Sequence, residues 1–221
     1  MIRIPLFPLG LVLLPGMSLP LHIFEERYKQ MIAECLADER PFGIVLFDGQ
    51  TVHSVGCTAR IVEVLKRYDD GRLDILTRGE RRFVAHELIE EKSYMEARIT
   101  FFEDGSEARP AGEGSELLSA ARGLLADLRK DGFLPPDPAP SLLSDPGSLS
   151  FFIASLEGFS AIERQQLLEM TSSTQRLQKC VEALSKIRQR FLLTQTIEKI
   201  IGGNGRPPES VLRKLSNKPD N

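Results

Sequence analysis

The chain has 221 residues, 42% hydrophobic and 27% charged, which is long and apolar enough to bury about 70% of its unfolded surface; wholesale disorder, a collagen-like repeat and a disulfide scaffold are excluded. The 28 Lys+Arg and 31 Asp+Glu leave a net charge of -3, so no bulk positive field gathers phosphates. Three cysteines, Cys35, Cys57 and Cys180, lack CxxC spacing, which suits a reducing cytoplasm and argues against structural zinc.

Residues 2–23 are apolar enough for a signal peptide or a membrane span. Pro5, Pro8, Pro15 and Pro20 would break any helix there, only Arg3 supplies a charge at its start, and no small-residue cleavage site follows. The pattern instead predicts buried strands at 2–6 and 12–23, the second broken by a turn or bulge at Pro15-Gly16. Phe24, Tyr28, Met31, Ile32, Cys35 and Leu36 then share one face of an amphipathic helix that begins with acidic residues, as the helix dipole favours. Strands follow at 42–47, 57–68, 73–77, 81–90 and 94–102, with a hairpin at Asp69-Asp70-Gly71 and a bend at Gly79. Short strands at this spacing predict a closed or nearly closed barrel.

The chain changes character at 104–115, a polar stretch with several breakers that reads as a linker between a β-rich subdomain, 1–103, and a helical one, 116–201. Leu117, Leu118, Ala121, Leu124, Leu125 and Leu128 recur at helical spacing, and the Pro-rich segment 134–140 ends that helix. Asp145-Pro146 and Gly158 bracket a second helix, and Ser160 with Glu163 forms a capping box for a third. The longest helix spans about 174–201, with Leu177, Cys180, Leu184, Ile187 and Phe191 on one stripe that reads as core packing within the chain. Residues 202–221 hold too few apolar side chains for a core and read as a flexible tail.

Nucleotide loops of the GxxxxGK[ST] or GxGxxG type, the HExxH zinc motif and the GxSxG nucleophile elbow are all missing. Cys57 with His22, His53 or His86 would be a thiol nucleophile with its base, but Cys57 opens an apolar strand and reads as a small buried hydrophobe. His22 beside Glu25 and Glu26 has the residue types of a metal site but no second histidine nearby. Arg78, Arg81 and Arg82, in RGERR, are the candidates for phosphate; strand alternation places Arg81 and Arg82 on opposite faces, and Glu80 and Asp74 offer local salt-bridge partners.

The phrase PLFPLGLVLLPGMSLPLHIFEERY, residues 5–28, resembles the N-terminal domain of Lon proteases in the form also found as stand-alone Lon-domain proteins. The likeness continues through PFGIVLF (41–47), GCTARIVEV (56–64) and DGRLDILTRGERRF (70–83), and into RLQKCVEAL (176–184). It implies an α+β fold, a PUA-like β pseudo-barrel with an inserted helix followed by a C-terminal helical bundle. Pro5, Phe7, Pro8, Pro15, Gly16, Pro20, Phe24, Arg27, Tyr28, Gly79 and Arg82 carry the family pattern as fold-defining residues. The resemblance brings no catalytic, cofactor or metal residues. It implies a non-catalytic, cytoplasmic polypeptide-binding module, an adaptor or regulator of proteolysis, whose partners are unfolded or tagged polypeptides and proteolytic machinery rather than a membrane. RNA binding through Arg78, Arg81 and Arg82, by analogy with other PUA-like barrels, is the alternative, and a Cys-dependent enzyme ranks third.

Overall fold

A computed structural model of the chain describes residues 1–105, 113–132 and 145–202; the Pro-rich segment 134–140, most of the expected linker and almost all of the expected tail lie outside these. Six strands come first, with one helix among them: β1 (Ile2–Leu9), β2 (Ser18–Ile23), α1 (Glu26–Ala37), β3 (Phe42–Phe47), β4 (Val52–Arg67), β5 (Leu73–Ile89) and β6 (Glu96–Phe101). The sheet runs β2-β5-β4-β3-β1-β6, and β6 also pairs with β5, so five strands close a ring and β2 is added along the first half of β5. Only β1 and β3 pair in parallel; the other pairings are antiparallel.

Strand alternation divides the apolar side chains between two cores. Ile4 and Leu6 of β1, Val45 of β3, Phe83 of β5 and Ala97 and Ile99 of β6 form a small cluster of their own. Phe83 takes the room that Gly43 and Gly56 leave, since a Cβ at either would lie 2.7 or 2.6 Å from its ring tip. The intervening Phe7, Ile44 and Leu46 belong to a larger core shared with Tyr28, Met31, Ile32 and Cys35 of α1. Phe24, expected on the face of that helix, precedes it and is 60% exposed, because the helix begins only at Glu26.

Among the described residues four helices follow: α2 (Glu113–Lys130), α3 (Pro146–Ser155), α4 (Ala161–Glu169) and α5 (Ser173–Gly202). The Asp145 side chain caps α3 by accepting from the Ser148 N–H, and Ser160 and Glu163 close a reciprocal capping box on α4. Leu177, Cys180 and Leu184 of α5 are fully buried in the larger core, so that stripe packs inside the chain. Its continuation loosens: Ile187 is half-buried, and Leu192, Leu193 and Ile197 are exposed. Among the described residues, no helix is long and apolar enough to cross a membrane.

Two strand expectations change. Val12, Leu13 and Leu14 are deeply buried but not in a strand; they lead into a turn in which Pro15 and Gly16, at φ 80°, occupy the middle positions and the Met17 N–H donates to the Leu14 carbonyl. Gly79 is no bend. It lies inside the continuous strand β5, where a Cβ would come 2.2 Å from the Leu14 carbonyl oxygen; hydrogen, in its place, lets the turn dock through Gly16 N–H to Gly79 O and Gly79 N–H to Met17 O.

Candidate functional site: a cleft at the barrel–helix seam

A cleft of about 480 Å³ opens where three segments meet: the Pro15–Gly16–Met17 turn, the Glu80–Arg82 part of β5 with Glu103 and Asp104 after β6, and one side of α3 from its cap Asp145 to Ser155. Its size is that of an ordinary ligand pocket. Pro15, Met17, Phe151 and Phe152 give it apolar surface, and Glu80, Glu103, Asp104 and Asp145 bring carboxylates.

A buried ionic node supports this seam. Arg82 and Arg176 both reach Asp104, although their side chains are only 3% and 0% exposed. Arg82 donates to Asp104 Oδ1 at 2.5 Å and to the carbonyls of Leu168 and Met170 at the end of α4, at 3.0 and 2.5 Å. Arg176, on the first turn of α5, donates to both Asp104 oxygens at 2.8 and 2.6 Å, to Met170 O and to Ser150 Oγ, and lies 4.0 Å from the Phe151 ring centroid. One carboxylate thus joins β5, the end of β6 and the helical half. Burial opposes the Asp104 charge, but the hydrogen bonds and field of Arg176 and then Arg82 outweigh it and hold its pKa below the usual aspartate value. The planar guanidinium suits this task, because it supplies several fixed donors while remaining charged when buried.

The three arginines of RGERR therefore do not form one patch. Arg82 is consumed inside; Arg81 is exposed, paired with Glu103 at 3.1 Å and stacked 4.0 Å from the Phe101 centroid; Arg78 is exposed on β5. Asp74, expected to partner this cluster, instead accepts from Tyr68 Oη at 2.8 Å and meets His22 Nδ1 at 2.5 Å. His53 bonds Asp48 and His86 bonds Thr100, while Cys57 donates only to the Thr58 carbonyl. Cys57 is the small buried hydrophobe expected of it, and burial pushes its thiol pKa up to about 12; Cys35 rises likewise to about 11 and Cys180 to about 12. No group of three or more metal-ligating side chains occurs among the described residues, His22 with Glu25 and Glu26 included.

Open strand edges are the other surface able to meet an extended chain, and both are blunted. β2 has β5 on one side only, with exposed Pro20 lacking an N–H to offer. Beyond Ala59, β4 leaves β3 and presents exposed Val62 and Leu65, but register shifts interrupt its pairing and Arg60, Glu63, Lys66 and Arg67 are interspersed along it.

Comparison with known proteins decides the family. The model described as the ATP-dependent protease La (LON) substrate-binding domain matches residues 3–186. The chain belongs to this family. As a Lon substrate-binding domain, it is 28% identical over 215 residues to the Lon protease of Anaeromyxobacter dehalogenans, covering 90% of this chain and 25% of that protein. It is 26% identical over 212 residues to the Lon protease of Flavobacterium johnsoniae, with 89% and 26% covered. The chain thus spans about a quarter of the length of the curated relatives it matches. A crystal structure of a Lon N-terminal domain protein from Xanthomonas campestris shares the fold at a TM-score of 0.65 and 24% identity, covering 82% of this chain and 98% of that one. The N-terminal domain of a Mycobacterium avium complex Lon protease gives a TM-score of 0.63 at 21% identity, covering 83% and 98%. The expected mixed α+β Lon-type fold is therefore the observed one.

Sequence reading of this Lon domain singled out Arg82 but missed its partners. Asp104 read as the first linker residue, and Arg176 entered only as the start of the RLQKCVEAL stretch, with no role of its own. A signal was present: Arg176 stands four residues before Cys180, directly on the apolar stripe of α5, where an unpaired cation would be costly.

Proposed function

We propose that the chain is a non-catalytic module that holds extended segments of unfolded or tagged polypeptides, acting in the cytoplasm as an adaptor or regulator of proteolysis. The observation that carries this reading is the cleft: an open seam with apolar walls, braced from behind by the Asp104 node, in a chain whose family model is described as a substrate-binding domain. Its size and lining suit side chains of a segment lying across it, whereas the open strand edges are guarded. The buried thiols, held well above neutral pH in pKa, support a binding rather than a nucleophilic role. RNA binding is the second reading, and the divergence of Arg78, Arg81 and Arg82 speaks against it, because phosphate contacts need cations on one accessible face.

A permanently unfolded protein, reduced and alkylated α-lactalbumin, tests the reading by fluorescence anisotropy. The chain should bind it, and Met17→Ser should weaken binding about tenfold, the worth of one Met-sized apolar contact. The same sample should show no ATP turnover and no peptide cleavage. Absence of binding, or binding that Met17→Ser leaves unchanged, refutes the assignment to the cleft.

A further inference from the structure

We infer that the cleft selects among polypeptides by charge, seating a segment in which a lysine or arginine stands beside an apolar residue. This rests on the polypeptide-binding reading and adds the chemistry of the segment held. Four carboxylates and one guanidinium line the cleft, but they are not equally available. Asp104 is fully engaged by Arg82 and Arg176, and Asp145 Oδ2 accepts from the first turn of α3. Three Arg82 N–H donors are likewise directed to Asp104, Leu168 and Met170, and the side chain is only 3% exposed, so it offers little to an incoming anion.

Glu80 and Glu103 differ from these. Each is paired with an arginine outside the lining, Arg60 at 2.5 Å and Arg81 at 3.1 Å, and both arginine side chains are 53% exposed. Ion pairs at that exposure contribute little, so an ammonium or guanidinium entering the cleft exchanges for either arginine at small cost. Met17, Pro15 and Phe152 meanwhile offer apolar surface to a neighbouring side chain. A neutral apolar segment would cover that surface but strip water from two carboxylates without replacing it. An acidic or phosphorylated segment would add like-charge repulsion. A basic residue beside an apolar one satisfies both halves of the lining, so the same groups attract one class of segment and reject the others.

The test uses three short peptides, identical except that one position between two leucines is Lys, Gln or Glu, titrated into the full chain. The Lys peptide should bind about tenfold more tightly than the Gln peptide, the scale of one charge-assisted hydrogen bond, and the Glu peptide more weakly than either. In the Glu80→Gln, Glu103→Gln double variant, with its melting curve confirming the fold, the Lys advantage should vanish while affinity for the Gln peptide is retained. A Lys preference that survives in the double variant overturns the inference. Equal binding of Lys and Gln peptides, both weakened by Met17→Ser, also overturns it yet leaves the polypeptide-binding reading standing. Failure of all three peptides and of the unfolded protein to bind overturns both.

Discussion

Removal of the Asp104 carboxylate should destabilise the protein more than removal of either arginine that holds it. Arg176→Ala deletes two bonds to Asp104 and one each to Met170 O and Ser150 Oγ, together with packing on Phe151. Part of that loss is made good, since Arg82 still donates to Asp104 Oδ1 and to Met170 O. Breaking a buried pair from one side costs about 3–5 kcal/mol, and the surviving Arg82 contacts place Arg176→Ala near the lower end, about 3 kcal/mol. Asp104→Ala instead leaves two guanidiniums, 3% and 0% exposed, facing each other with no anion between them, and about 5 kcal/mol follows. Either value is a large share of the roughly 5–15 kcal/mol that holds a domain together. Urea titrations followed by far-UV circular dichroism give the order directly, and added salt should change it little because both guanidiniums are buried. Loss of less than about 1 kcal/mol in Asp104→Ala, or a larger loss in Arg176→Ala than in Asp104→Ala, would refute the account of one carboxylate balancing two cations.

Three further outcomes are expected. Gly79→Ala forces a Cβ toward the Leu14 carbonyl and strains both backbone bonds that dock the Pro15-Gly16 turn, so denaturant titration should show a loss of about 2–4 kcal/mol, and binding at the cleft should weaken with it. Leu184→Ala empties a fully buried site and should cost about 2–5 kcal/mol, whereas exposed Lys186→Ala should stay within about 0.5 kcal/mol; equal, negligible losses would contradict the burial of that stripe. The Glu34 carboxyl is held at about 2, below its ordinary 4.5, by hydrogen bonds from Lys92, then Tyr94 and Gln30. A depressed carboxyl stabilises the fold above its unfolded value and ceases to as pH falls through its folded one, so stability should decline between those two values, and Glu34→Gln should flatten that decline.

Local chemistry made much of the fold readable. The Asp-Gly hairpin between β4 and β5, the Ser160–Glu163 box and the α5 stripe each depend on residues within a few positions, and each occurs where its pattern lies. Val12–Leu14 misled because burial and strand formation usually coincide in an apolar run, whereas here the segment is buried by docking on β5. Gly79 misled for the complementary reason, since a glycine that admits a neighbouring backbone looks in sequence like one that bends its own. The site was less legible still. Asp104 meets Arg82 across 22 positions and Arg176 across 72, and the cleft has walls from three segments whose approach is set by ring closure and helix docking.

Ring closure also fixes an order of events during synthesis. β1 leaves the ribosome before the other strands of the ring, yet Ile2 pairs with Ile99 of β6, the last of them. At roughly 5–20 residues per second, the amino-terminal strand waits about 5–20 s for that neighbour. Its parallel partner β3 arrives sooner, but only after β2 and α1 have emerged. Throughout the interval an apolar strand has an unfilled edge, and Pro5 and Pro8 within it withhold the N–H groups by which a stray nascent chain would pair. Arg176 follows much later than the ring, so every strand of the barrel has emerged before the second clamp on Asp104 exists, and the seam that bounds the cleft is made after the ring.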